Sequence, residues 1–124
     1  MNNIIISKTP MRISFFGGGT DFENYYKNNE YGLAISCAID KYIYVTVKKH
    51  SNIFDEKYRL NYSTTEEVSS LNKIQNAIIR ESVKYSKIRD PLYISTIADL
   101  PGSSGLGSSS SFCVGLLKAL YKYR

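Results

Sequence analysis

Leu100-Pro101-Gly102-Ser103-Ser104-Gly105-Leu106-Gly107-Ser108-Ser109-Ser110-Ser111 decides how this chain is read. Before it, Leu92 to Ile97 reads as a strand. After it, residues 108–123 read as a helix that is apolar on most sides, through Phe112, Cys113, Val114, Leu116, Leu117 and Leu120. Such a helix must be buried on several faces. Glycines let a backbone approach a ligand closely and adopt positive φ. The first amides of a helix have no internal partners, and the helix dipole adds positive charge at the same place. A Gly-Ser loop running into a helix therefore makes an anion site suited to phosphate. Serine hydroxyls can add hydrogen bonds or a magnesium contact. The alternative is a flexible linker or a plain helix cap, but a linker does not normally run straight into a buried helix.

Two familiar phosphate loops are excluded. A Walker loop ends in Gly-Lys-Ser/Thr, and no lysine stands here. The dinucleotide fingerprint needs a third glycine, where Gly105-Leu106-Gly107 is followed only by serines.

Upstream, Ile4-Ile5-Ile6 and Arg12 to Phe16 read as two short strands flanking a break at Pro10. Gly17-Gly18-Gly19 ends the second, and Thr20 and Asp21 are placed to cap a short helix over 22–28. Residues 33–38 and 41–50 read as two strands or one bent strand, with Ile43, Val45 and Val47 on one face and Tyr42, Tyr44, Thr46 and Lys48 on the other. Residues 57–62 give a further strand, and the spacing suggests an antiparallel meander. Thr64 to Glu67 carries a capping-box pattern, with Val68, Leu71, Ile74 and Ile78 at helical spacing after it. That predicts a helix to about Tyr85, in one piece or two.

Of the 124 residues, 43% are apolar and 22% charged, ordinary globular usage that excludes disorder, collagen and coiled coil. No apolar run approaches the roughly 20 residues of a membrane helix, and the start, MNNIIISKTP, lacks the pattern of a secretory signal. The net charge is +5, but the basic residues are dispersed, the tightest cluster being Lys48-Lys49-His50, so no nucleic-acid partner is expected. Cys37 and Cys113 lie in apolar runs and read as buried free thiols, which points to a reducing, cytoplasmic setting. His50, the only histidine, reads as solvated; it has no nucleophile motif beside it, and no Cys/His cluster has zinc spacing.

Pro101-x-x-x-Gly105-Leu106-Gly107-Ser108-Ser109-Ser110 resembles the second signature of the GHMP kinases, which phosphorylate small molecules with ATP. Thr9 to Phe22, with Arg12, Gly17, Thr20 and Asp21 in place, resembles their first, substrate-side signature. Gly18 and Gly19 stand where galactokinases carry Glu and His, which argues against a galactokinase. The triple glycine, and Ile74 to Ser82, are most similar to the D-glycero-D-manno-heptose 7-phosphate kinase branch. The resemblance implies an α+β fold like the second domain of ribosomal protein S5, a mostly antiparallel sheet with packed helices and an unusual left-handed βαβ unit. It implies that residues 1–124 are the first part of such a domain, the C-terminal domain being absent. Pro101, Gly102, Ser103, Ser104, Gly105, Leu106, Gly107, Ser108, Ser109 and Ser110 would hold the phosphates of ATP, with Ser109 also on Mg2+. Arg12, Gly17, Gly18, Gly19, Thr20 and Asp21 would hold a sugar phosphate. Asn61 and Ser63 fall where the family's adenine pocket is often built, Lys8 could face phosphate, and Asp99 is expected as a turn residue. The catalytic acidic residue is expected beyond Arg124, so little or no activity is expected of the chain alone. Two other readings are a fucokinase-like or other GHMP kinase and a non-catalytic nucleotide-binding remnant.

Overall fold

The computed structural model describes residues 4–124, which leaves the first three residues of the MNNIIISKTP stretch outside the description. Strand β1 (Ile5–Phe16) leads through α1 (Glu23–Asn28) into β2 (Ile35–Lys49). Strands β3 (Tyr58–Asn61) and β4 (Thr65–Val68) form a hairpin. A single 3-10 turn (Leu71–Lys73) precedes α2 (Ala77–Ser86), β5 (Leu92–Ala98) and α3 (Ser108–Tyr123). The five strands lie in the order β1-β2-β5-β3-β4.

The alternation of β2 is realised as read: Ile43, Val45 and Val47 are buried while Tyr44 and Thr46 are half-buried. β2 pairs antiparallel with both β1 and β5. Helix α3 packs across β1 and β2, and α2 lies beside it. Leu116, Leu120, Val83 and Ile79 complete the core with Leu60, Leu92 and Ile94. Two buried serines fasten α3 to β1: Ser7 Oγ donates to the Gly115 carbonyl at 2.7 Å and Ser111 Oγ to the Pro10 carbonyl at 3.0 Å.

Several expectations are corrected. Residues 5–16 are one strand, not two; Pro10 is absorbed by an irregularity in which the β1–β2 register jumps from Pro10↔Tyr42 to Arg12↔Ala38. That leaves Ile39 to Lys41 of β2 as a bulge opposite fully buried Met11, and of the two readings of 33–50 the single irregular strand is the one formed. There is no simple meander: β5 is inserted between β2 and β3, and β3 runs parallel to β5 with α2 in the crossover. Parallel neighbours need such a crossover, a non-local pairing that strand spacing does not report.

Residues 65–68 form strand β4 rather than the first turn of a helix. Glu66, the buried member of that strand, finds its partners across the fold instead of back along a helix. The helix starts only at Ala77, where Asn76 Oδ1 caps the Ile79 amide at 3.1 Å. Asp21 does not cap α1; Phe22 occupies the cap position, with no side-chain cap bond. Helix α3 leaves Val114 58% exposed, so it is buried on one broad face only. Cys37 is exposed and Cys113 half-buried, against the expectation of buried thiols; both are free. His50 is buried, not solvated: its ring stacks on Phe54 with centroids 4.8 Å apart, and Nε2 lies 3.2 Å from Glu56 Oε1.

Candidate functional site

The chain direction brings β5 up from the core, through the Gly-Ser loop, and back down as α3. The loop can turn so tightly because Ser103, Gly105 and Gly107 all take positive φ, at 65°, 74° and 73°. Gly107 is the cap residue of α3 and has no side chain to cap with. The first helical bond is donated by Ser111 to the Gly107 carbonyl at 2.9 Å. The amides of Ser108, Ser109 and Ser110 precede it and are the ones a helix start leaves free for an anion. Ser110 Oγ donates to the Gly107 carbonyl at 2.9 Å, so its hydroxyl proton is engaged.

Beside the loop lies an open cavity of about 370 Å³. Ile43, Ala98, Leu100 and Phe112 give it apolar walls, Tyr62, Ser63, Asn76 and Thr96 add polar atoms, and Gly102, Ser108 and Ser109 form its mouth on the loop. One buried carboxylate holds the Tyr62–Asn76 side together. Glu66 accepts from Tyr62 Oη, from the Gln75 amide at 2.7 Å and from the Asn76 amide at 3.1 Å. Burial pushes Glu66 up, but the bonds from Tyr62, Gln75 and Asn76, with the charge of Arg80, outweigh it and hold the carboxyl below its ordinary range. Burial first, and then Glu66, push the Tyr62 phenol up, so it remains a neutral donor.

The second glycine segment is a turn closed on itself. The Thr20 amide and hydroxyl both donate to the Gly17 carbonyl, at 3.1 and 2.8 Å, and the hydroxyl also lies 3.1 Å from the Leu33 carbonyl. Thr20 is thereby committed to the turn, while Asp21 is exposed. Gly18 faces open space, with nothing within 4 Å of where a Cβ would stand.

Arg12, on the strand that leads into the triple-glycine turn, lies against the Gly-Ser loop. Its amide donates to the Leu106 carbonyl at 3.1 Å. A Cβ on Gly107 would lie 2.9 Å from Arg12 Cγ and 3.3 Å from its Cζ and Nε, so the Arg12 side chain lies along the glycine backbone of the loop. The exposed guanidinium reaches Ser14 Oγ at 3.2 Å, and among the described residues it makes no ion pair.

Other expected positions fall elsewhere. Ser63 lines the cavity, but Asn61 does not: its Nδ2 donates to Tyr93 Oη at 2.7 Å. Lys8 Nζ rests 3.8 Å from the centroid of the Tyr42 ring, a cation–π contact. Asp99 is the turn residue expected, its Oδ2 accepting from the Tyr42 amide at 2.8 Å. Tyr62, Asn76 and Thr96 were not legible as site residues. Asn76 alone carried a signal, as an N-cap residue before Ala77-Ile78-Ile79, and the helical reading of 64–85 masked it. Among the described residues no group of three or more His, Cys, Asp or Glu could hold a metal, and no helix is long and apolar enough to cross a membrane.

Residues 70–124, which contain the loop and α3, match the family described as GHMP kinases N terminal domain. This segment belongs to the GHMP kinase family. A D-glycero-alpha-D-manno-heptose 7-phosphate kinase of Campylobacter jejuni is 33% identical over 128 residues, covering 96% of this chain and 38% of its own. A galactokinase of Pyrococcus furiosus is 29% identical over 126 residues, covering 94% of this chain and 33% of its own. The chain thus spans little more than a third of these GHMP kinases. A D-glycero-D-manno-heptose 1-phosphate kinase from Bacteriodes thetaiotaomicron shares the fold over 98% of this chain and 42% of its own, with a TM-score of 0.78 at 24% identity. The α+β architecture, a five-stranded, mostly antiparallel sheet with packed helices, is the one these GHMP kinases share.

Proposed function

We propose that this chain is the nucleotide- and acceptor-binding part of an ATP-dependent sugar kinase, residues 1–124 being the first part of its N-terminal domain. The observation that supports the reading is the contact of Arg12 with Leu106 and Gly107, which ties the strand leading into the triple-glycine turn to the Gly-Ser loop. A phosphoryl donor and its acceptor must be held in line within bonding reach, and positioning with charge stabilisation supplies most of the catalysis.

In this reading Pro101 to Gly107 wrap the triphosphate with their backbone, the amides of Ser108 to Ser110 bind its oxygens, and the base enters the cavity. The first turn of α3 offers Ser109 Oγ as one hard oxygen donor. That suits Mg2+, which keeps most of its ligands from water and phosphate. When bound it neutralises charge on the phosphates. Arg12 offers a planar fork of donors to the transferred group or to the acceptor's own phosphate. Gly17 to Gly19 keep side chains away from the acceptor, the Thr20-closed turn fixes their path, and Asp21 accepts from sugar hydroxyls.

The acceptor favoured is the anomeric hydroxyl of D-glycero-D-manno-heptose 7-phosphate, by the Campylobacter relative and the Gly18-Gly19 pair. The bond from the γ-phosphorus to the β,γ-bridging oxygen breaks, a bond to the anomeric oxygen forms, and ADP and the 1,7-bisphosphate leave. The hydroxyl proton goes to an acidic residue expected beyond Arg124. Such a product suits nucleotide-heptose synthesis in a cytoplasmic setting.

The test is a phosphoryl-transfer assay on the complete kinase with heptose 7-phosphate, galactose and mevalonate, read by phosphorus NMR. Formation of the anomeric phosphate ester from the heptose is expected. Preference for another acceptor would overturn the substrate assignment, and bound MgATP with no transfer to any acceptor would leave only a binding module. In the same assay Arg12→Lys is expected to lower kcat/KM about 100-fold by losing the bidentate fork. Its melting temperature should hold, since the side chain is exposed and unpaired by charge.

A further inference from the structure

We infer that Thr96 is a specificity-determining residue of the cavity beside the Gly-Ser loop, its hydroxyl reading the polar edge of the nucleobase. The inference rests on the kinase reading and deepens it. Among the described residues, Thr96 Oγ1 is buried and has no hydrogen-bond partner. Buried polar groups in folded proteins almost always have one, and a hydroxyl left without one costs about 1–3 kcal/mol. A valine would fill the same volume without that penalty, so folding alone gives no reason for the hydroxyl.

Its position gives one. Thr96 stands opposite Val45 in the β2–β5 ladder, two residues before Ala98, which stands opposite Ile43. Thr96, Ala98 and Ile43 together form the strand-side wall of the cavity, facing Phe112 on α3. These apolar surfaces suit the flat faces of a base. Across from them, Tyr62 Oη and the Asn76 backbone amide are engaged by Glu66, and Asn76 Oδ1 by the Ile79 amide. Thr96 retains its full bonding capacity. Rotation of χ1 by one staggered well carries the hydroxyl of a threonine into the place its methyl held. A ligand with an edge nitrogen or amino group can therefore draw Oγ1 to the cavity face. The mouth of the cavity at Ser108 and Ser109 makes that ligand the base of a nucleoside triphosphate, whose phosphates lie on the loop.

The experiment is calorimetric titration of the wild-type chain, Thr96→Val and Thr96→Ser with MgATP and, separately, with magnesium tripolyphosphate, which occupies the loop without a base. Thr96→Val is expected to bind MgATP about tenfold more weakly, the worth of one hydrogen bond. Its tripolyphosphate affinity should be unchanged and its melting temperature equal to wild type or higher. Thr96→Ser should bind MgATP like wild type. Undiminished MgATP binding by Thr96→Val overturns the inference, as does an equal loss of both ligands, which marks a structural effect. Wild-type protein that binds neither ligand overturns the kinase reading itself, and the inference with it.

Discussion

Gly17→Ala is expected to destabilise the protein by more than about 3 kcal/mol and to abolish acceptor binding. Gly17 has a φ of +81°, and its Cβ would stand 1.8 Å from the Leu33 carbonyl oxygen, 2.8 Å from Leu33 C and 2.9 Å from Ala34 Cα. All three are backbone atoms, so no side-chain rotation relieves the overlap. The left-handed conformation adds about 1–2 kcal/mol for a residue with a Cβ. Either the turn or the start of β2 must move, and the turn carries both Thr20 bonds. Gly18→Ala is the matched control. Open space surrounds it, so its stability should stay within about 1 kcal/mol of wild type, while the added methyl should raise the KM for the sugar. Urea unfolding, and acceptor KM values of the complete kinase, check the pair; a Gly17→Ala protein that unfolds at the wild-type midpoint contradicts the geometry.

Glu66→Ala is expected to lower stability by about 3 kcal/mol, because it strands the Tyr62 hydroxyl and the Gln75 and Asn76 amides in a buried setting. The same carboxylate makes stability depend on pH. Its folded pKa lies below the ordinary value of 4.5. Its contribution is therefore complete above about pH 4.5 and is lost as pH falls through the lower folded value. Urea midpoints measured from pH 7 downward should show wild type weakening in that acid range, with Glu66→Gln weaker at neutral pH but flatter below it. Parallel curves for the two proteins would remove Glu66 as the cause. MgATP affinity of Glu66→Ala should fall as well, since Tyr62 and Asn76 form one side of the cavity.

What could be read from the sequence divides by distance along the chain. The Gly-Ser loop, the triple glycine, β2, β5 and α3 were legible because their determinants are local: backbone freedom at glycine, period-two alternation, and an apolar helical stretch after a turn. The order of the sheet was not legible, because β5 enters between β2 and β3 through pairings that no short window contains. The Thr64–Glu67 segment failed for the same reason. Its pattern satisfies a capping box, but the Gln75 and Asn76 amides offer Glu66 a better set of donors once β3 and β4 pair. His50 was misread because Phe54 and Glu56, only a few residues on, fold back over it. In the site itself, the residue types were visible while their neighbours were not. Nothing in the spacing tells that Arg12 lies against Gly107, or that Thr96 rather than Asn61 reaches the cavity.

The central claim is that the Gly-Ser loop and the triple-glycine turn are the two halves of one phosphoryl-transfer site. Amide NMR of the isotope-labelled chain, titrated first with MgATP and then with heptose 7-phosphate, tests it most directly. MgATP should shift Gly102 to Ser110 together with Ser63, Asn76 and Thr96, and heptose 7-phosphate should shift Arg12 and Gly17 to Asp21. Shifts confined to residues remote from both segments, or no saturable shifts with either ligand, would contradict it.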